Sequence, residues 1–95
     1  MIDNKKIYED TLIELSMSMP KFTSNYKLKC DIKKLVKRVL YANLYNELLS
    51  GKLFPEIEIE IDFESYKIRW VRINIKKILD VDIMLRVYSN MIVSL

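Results

Sequence analysis

PEIEIEIDFESYKIRWVRINIKK, residues 55–77, is the stretch that decides the fold. After Pro55 the chain alternates without a break: Ile57, Ile59, Ile61 and Phe63 fall on one parity, and Glu56, Glu58, Glu60, Asp62 and Glu64 on the other. A period of two is the signature of a strand with one apolar and one polar face. A second strand follows almost at once. Its apolar parity changes midway, from Tyr66, Ile68 and Trp70 to Val71, Ile73 and Ile75. The slip at Trp70-Val71 predicts a β-bulge, one extra residue that re-aims the rest of the strand.

With Glu64-Ser65 as the tip, a hairpin register suggests itself. Phe63 would meet Tyr66, Ile61 meet Ile68 and Ile59 meet Trp70, with Asp62 opposite Lys67 and Glu60 opposite Arg69. Beyond the bulge Glu58 would meet Arg72 and Ile57 meet Ile73. Apolar then meets apolar and acid meets base throughout. Glu-Ser lacks the chemistry of a tight two-residue turn, so a looser four-residue loop is expected.

Helices are predicted on the N-terminal side. Asp3 is placed to cap a first helix running to about Met17, with Tyr8, Leu12, Leu15 and Met19 as its apolar positions and Pro20 closing it. Residues 21–30 read as a polar connection in which Tyr26–Cys30 could form a short edge strand. Asp31 then caps a second helix whose stripe is Ile32, Leu35, Val36, Val39, Leu40, Leu44, Leu48 and Leu49. Gly51 stands where a left-handed C-terminal cap is wanted. The last segment fits two patterns. Ile78, Val81, Leu85, Tyr88, Ile92 and Leu95 follow helical spacing to the chain end, whereas Leu79, Val81, Ile83, Leu85 and Val87 alternate as in a strand. The longer helical pattern is preferred, with a third strand as the alternative. The expected fold is thus α+β, one domain over 1–95, in the order α-α-β-β-α around a long antiparallel hairpin.

Composition narrows the function. The 95 residues contain no His, one Gly, one Cys and two Pro. There is accordingly no imidazole base, and no glycine-rich phosphate loop. Cys30 beside Lys29 has no His to activate it, and the carboxylates lie on a strand face rather than in an apolar pocket. Asp80 and Asp82 read as complements to a helix N-terminus rather than Mg²⁺ ligands. No catalytic residue, metal or cofactor is expected. A single Cys forms no intramolecular disulfide, residues 1–6 lack a signal-peptide pattern, and no uncharged run approaches the ~18 residues of a membrane span. The expectation is a cytoplasmic protein without a membrane partner. Thirteen Ile and twelve Lys against one Ala and no Gln are the bias of an AT-rich genome, which suggests a phage, plasmid, archaeal or AT-rich bacterial origin, with a phage or plasmid-type mobile element as the expectation.

Net charge is only +3, but residues 21–54 carry +6 and 66–77 carry +5, against −5 over 55–65. Two surfaces follow. Glu56, Glu58, Glu60, Asp62 and Glu64 form a row of carboxylates about 6.6–6.8 Å apart, a geometry that could imitate a nucleic-acid backbone unless Lys67, Arg69 and Arg72 neutralise it. Trp70 adds either a binding hot spot or a core residue facing Ile59. Lys33, Lys34, Lys37, Arg38, Tyr41 and Tyr45 form a basic-aromatic helix face, suited to phosphates and stacked bases, or simply to solvation. The first function expected is a small non-catalytic inhibitor or adaptor that binds a host protein or nucleoprotein. The alternative is a nucleic-acid-binding regulator using the basic helix. The apolar ending Met91–Leu95 suggests a homodimer.

Overall fold

In the computed structural model, residues 2–18, 25–51, 55–64, 67–77, 80–88 and 91–94 are described. They form helices α1 (Asn4–Ser18) and α2 (Asn25–Leu49), then strands β1 (Glu56–Glu64), β2 (Lys67–Lys76), β3 (Val81–Tyr88) and β4 (Met91–Ser94). The strands make one antiparallel sheet in the order β1-β2-β3-β4. The α+β class stands, and the segment that fitted both patterns is strand.

The reason lies in β2. Val71, Ile73 and Ile75 are fully buried, and β1 covers only one of that strand's two edges. Pairing Val81 with Ile75, Ile83 with Ile73 and Leu85 with Val71 satisfies the second edge. It also brings three more apolar residues to the same face. A helix would leave β2 as an edge strand whose backbone groups must find other partners.

The hairpin register differs from the expected one by two residues at Ile57, Glu58 and Phe63 and by three from Ile59 to Asp62, because the bulge lies opposite Asp62/Phe63 rather than Glu58/Ile59. Ile57 pairs with Ile75, Ile59 with Ile73, Ile61 with Val71 and Asp62 with Trp70; beyond the irregularity Phe63 pairs with Ile68 and Glu64 with Lys67. A two-residue shift preserves faces, which is why alternation alone could not detect it, but the bulge at Asp62/Phe63 turns Trp70 from the apolar face to the open one. The extra residue is Arg69, just before the expected slip. Ser65 and Tyr66, where the loop was placed, lie outside the described residues.

Both helices cover one face of the sheet, α2 over β1 and α1 over β3 and β4. Asp3 caps α1 as expected, its carboxylate accepting the Lys6 backbone N–H at 3.0 Å. The buried face of α1 is turned by one residue: Ile7, Thr11 and Leu15 are buried, with Tyr8 and Leu12 at its margin. Thr11 tolerates burial because its hydroxyl donates to the Ile7 carbonyl at 2.7 Å. Met19 and Pro20 lie outside the described residues.

α2 begins six residues before Asp31, which is therefore an interior residue and not a cap. Leu28, four residues ahead of Ile32, is buried and extends the stripe through Leu35, Val36, Val39, Leu40 and Leu44. At Leu44 the backbone leaves helical geometry (φ −130°, ψ 35°). One residue earlier, the Asn43 amide donates to the Val39 carbonyl at 2.9 Å, the kind of competing bond that bends a helix. Beyond the bend Leu48 is only half-buried and Leu49 is exposed.

Gly51 closes α2 in the left-handed region (φ 72°), donating its N–H to the Leu48 carbonyl at 3.2 Å. Lys77, after β2, holds the same unfavourable sign of φ (70°) with a side chain attached. Opposite effects follow. Gly51→Ala should destabilise the fold by about 1 kcal/mol from strain alone, since a Cβ there meets nothing within 4 Å. Lys77→Gly should stabilise it by roughly 0.5–1 kcal/mol. Urea titrations followed by circular dichroism would resolve both signs.

Candidate nucleic-acid interface

The exposed side of α2 carries most of the residues singled out in the sequence. Because the helix starts at Asn25, Tyr26 and Lys29 join it rather than lying in a loop. Lys29, Lys33, Lys37 and Tyr41 then recur at every fourth residue, a ridge inclined slightly to the axis with about 6 Å of rise between members, and Tyr45 follows past the non-helical Leu44. Lys34 and Arg38 flank it towards α1. The four lysines at 29, 33, 34 and 37 are exposed, and among the described residues none makes an ion pair within 4 Å. Arg38 differs, since it reaches Glu14 of α1 at 3.3 Å. Tyr26, Tyr41 and Tyr45 are 82%, 47% and 58% exposed, so each offers ring surface to solvent. A cap at Asp31 would leave Tyr26 outside the helix, which is why the sequence alone does not mark it. The four-residue step from Leu28 to Ile32 was the signal that the helix starts earlier.

The acidic row sits on the opposite side of the molecule, on the sheet face that neither helix covers. There the carboxylates are largely engaged. Glu58 accepts from Lys76 at 2.9 Å and Asp62 from Arg69 at 2.6 Å. Longer contacts join Glu56 to Lys77 at 3.9 Å and Glu64 to Arg69 at 4.0 Å. Arg72 is opposite Glu60 in register, yet its guanidinium grips Asp82 of β3, with Nη2 to Oδ2 at 2.6 Å and Nε to Oδ1 at 3.0 Å. Glu60 is thus the one carboxylate of the row with no ion pair within 4 Å among the described residues. Two shifted cations report these contacts. Arg72 is raised above its ordinary pKa chiefly by its hydrogen bond to Asp82, and Lys76 chiefly by its hydrogen bond to Glu58. A cation raised on folding stabilises below its ordinary pKa and loses that effect only as pH climbs past the raised one, so neither pair adds pH dependence near neutrality.

Trp70 belongs to this open face too. It pairs with Asp62 on one side and Arg86 on the other, half-buried, and does not face Ile59. Asp80 and Asp82 open a strand and not a helix, and Asp82 is taken by Arg72. Among the described residues no three His, Cys, Asp or Glu side chains cluster as metal ligands, and no helix is long and apolar enough to cross a membrane. Cys30 is a half-buried free thiol. It lines a groove of about 430 Å³ with Tyr26, Lys29 and Lys33 of α2 and Ile57, Glu58 and Ile59 of β1. No protein-family model, no curated protein and no solved structure matches the chain.

Proposed function

We propose that the protein is a non-catalytic binding module that holds single-stranded nucleic acid on the exposed face of α2. The observation that carries this reading is the ridge of lysines without an ion pair among the described residues, beside exposed tyrosines. Lys29, Lys33, Lys34 and Lys37 would replace counterions on consecutive phosphates, and Tyr41 and Tyr45 would stack on bases. A duplex presents no free ring faces, so the tyrosines favour a single strand. The acidic row has less support as an imitation of a phosphate backbone, because four of its five carboxylates have cations within 4 Å.

The test is the anisotropy of a fluorescein-labelled oligothymidylate titrated with protein at 50 and 200 mM NaCl. Neutralising three or four phosphates of a single strand predicts an affinity loss of about 20–50-fold across that range. Absence of binding at 50 mM would overturn the reading.

A second reading rests on the open sheet face, where Glu60 has no ion pair among the described residues and Trp70 is half-buried without a helix above it. It takes that face as the contact with a host protein or nucleoprotein, in the manner of an inhibitor or adaptor. The two surfaces lie on opposite sides of the molecule, so variants on one should spare binding through the other.

A further inference from the structure

β1 is an edge strand. Its nine residues pair with β2 along one side only, and among the described residues no backbone hydrogen bond is made along the other. Such an edge is a template for one more strand. Beside it runs the groove of about 430 Å³, roofed by Tyr26, Lys29, Cys30 and Lys33 and floored by Ile57, Glu58 and Ile59. The edge is therefore flanked by space for the side chains of an added strand.

The occupant is set by charge. Every polar-face position of β1 is an acid, so a second copy pairing antiparallel through its own β1 would oppose carboxylate to carboxylate, which is destabilising. The edge is in this way closed to self-association. The chain itself supplies the complement on the paired side: β2 sets Arg72 and Lys76 on the acidic face and Val71, Ile73 and Ile75 on the apolar one. The same alternation would suit the free edge, where Glu60 has no ion-pair partner among the described residues.

We propose that the free edge of β1 accepts an extended segment of a protein partner in which Lys or Arg alternates with apolar residues. The segment would add a fifth strand by β-augmentation. Its backbone would bond the open N–H and C=O groups of β1. Its cations would lie over Glu58, Glu60 and Asp62, and its apolar side chains would enter the groove against Ile57 and Ile59. This site is separate from the crest of α2 and stands independently of the nucleic-acid reading.

The probe is a synthetic ten-residue peptide of alternating Lys and Val, with the corresponding Glu-Val peptide as control. Titrated into ¹⁵N-labelled full-length protein, the Lys-Val peptide should shift and protect backbone amides of residues 57–62. It should bind at least about tenfold more tightly than Glu-Val, from the sum of several cross-strand charge pairs. The triple variant Glu58→Gln, Glu60→Gln, Asp62→Asn should lose about tenfold in affinity for Lys-Val and none for oligothymidylate. Should the triple variant fold poorly, Glu60→Gln alone, which breaks no ion pair among the described residues, should lose roughly two- to threefold. Equal affinity for both peptides, shifts confined to other elements, or no binding at 1 mM peptide would overturn the proposal.

Discussion

Replacing Lys33, Lys34 and Lys37 together with Glu is expected to lower affinity for a single-stranded oligonucleotide by roughly a hundredfold at 0.1 M salt. The figure follows from counterion release: each phosphate contact to a single strand contributes an exponent of about 0.7 in salt concentration, and three are lost. The reversed charges add repulsion, so a hundredfold is the lower end. The salt slope should flatten at the same time, and that change separates lost phosphate contacts from general damage. Arg38 is left intact because Glu14 already holds it. The three lysines are exposed and sit in the middle of α2, so stability should change by no more than about 0.5 kcal/mol per site. Tyr41→Ala and Tyr45→Ala should each weaken binding by about 5- to 150-fold if their rings stack on bases, with Tyr→Phe at either position nearly silent. Anisotropy titrations at two salt concentrations read all of these. A triple variant that binds as tightly as the parent, with an unchanged slope, would remove α2 from consideration.

The second large effect concerns the core, at a position the two readings of the C-terminal segment treat in opposite ways. On a helix running from Ile78 with Val81, Leu85, Tyr88 and Ile92 inward, Ile83 points away from the apolar stripe. On β3 it pairs with Ile73 at the centre of the sheet and is 0% exposed. Ile83→Ala should therefore cost about 2–5 kcal/mol, from lost transfer energy and the cavity left behind. A domain of this size has roughly 5–14 kcal/mol of stability in total. Ile83→Asp, which buries a carboxylate without a partner, should leave no cooperative unfolding transition at 25 °C. The neighbouring Met84 lies on the open face of the same strand, and Met84→Asp should cost less than about 1 kcal/mol. Chemical denaturation of the three variants gives the comparison. Similar stabilities for Ile83→Asp and Met84→Asp would argue against β3.

Much of this protein was legible residue by residue, because the determinants are local. Glu56–Glu64 is a strand by strict alternation, Asp3 caps α1 by bonding a backbone N–H three residues on, and Gly51 ends α2 because its φ of 72° suits a residue without Cβ. The basic-aromatic face was visible for the same reason: helical spacing alone puts Lys33, Lys37 and Tyr41 on one side, whereas Tyr45 lies past the bend at Leu44. The bulge between the paired strands was also announced by a parity change, one residue from where it falls.

What the tertiary structure decided are the matters for which two local answers were equally good. Residues 81–88 satisfy helical and strand periodicity alike; the unpaired edge of β2, with Val71, Ile73 and Ile75 to bury, selects the strand. Shifting the hairpin by two residues keeps the faces of Ile57 and Ile75, so only the full sheet fixes one against the other, and the position of the bulge turns Trp70 outward beside Arg86. The partners of the acidic row follow from that register. Arg72 lies between Glu60 and Asp82 and bonds the carboxylate of β3, a strand the hairpin sequence could not foresee, and Glu60 is left without an ion-pair partner among the described residues. Periodicity assigns each side chain to a face, but pairing across the sheet depends on distances between segments far apart in the chain, and those exist only once the layers have packed.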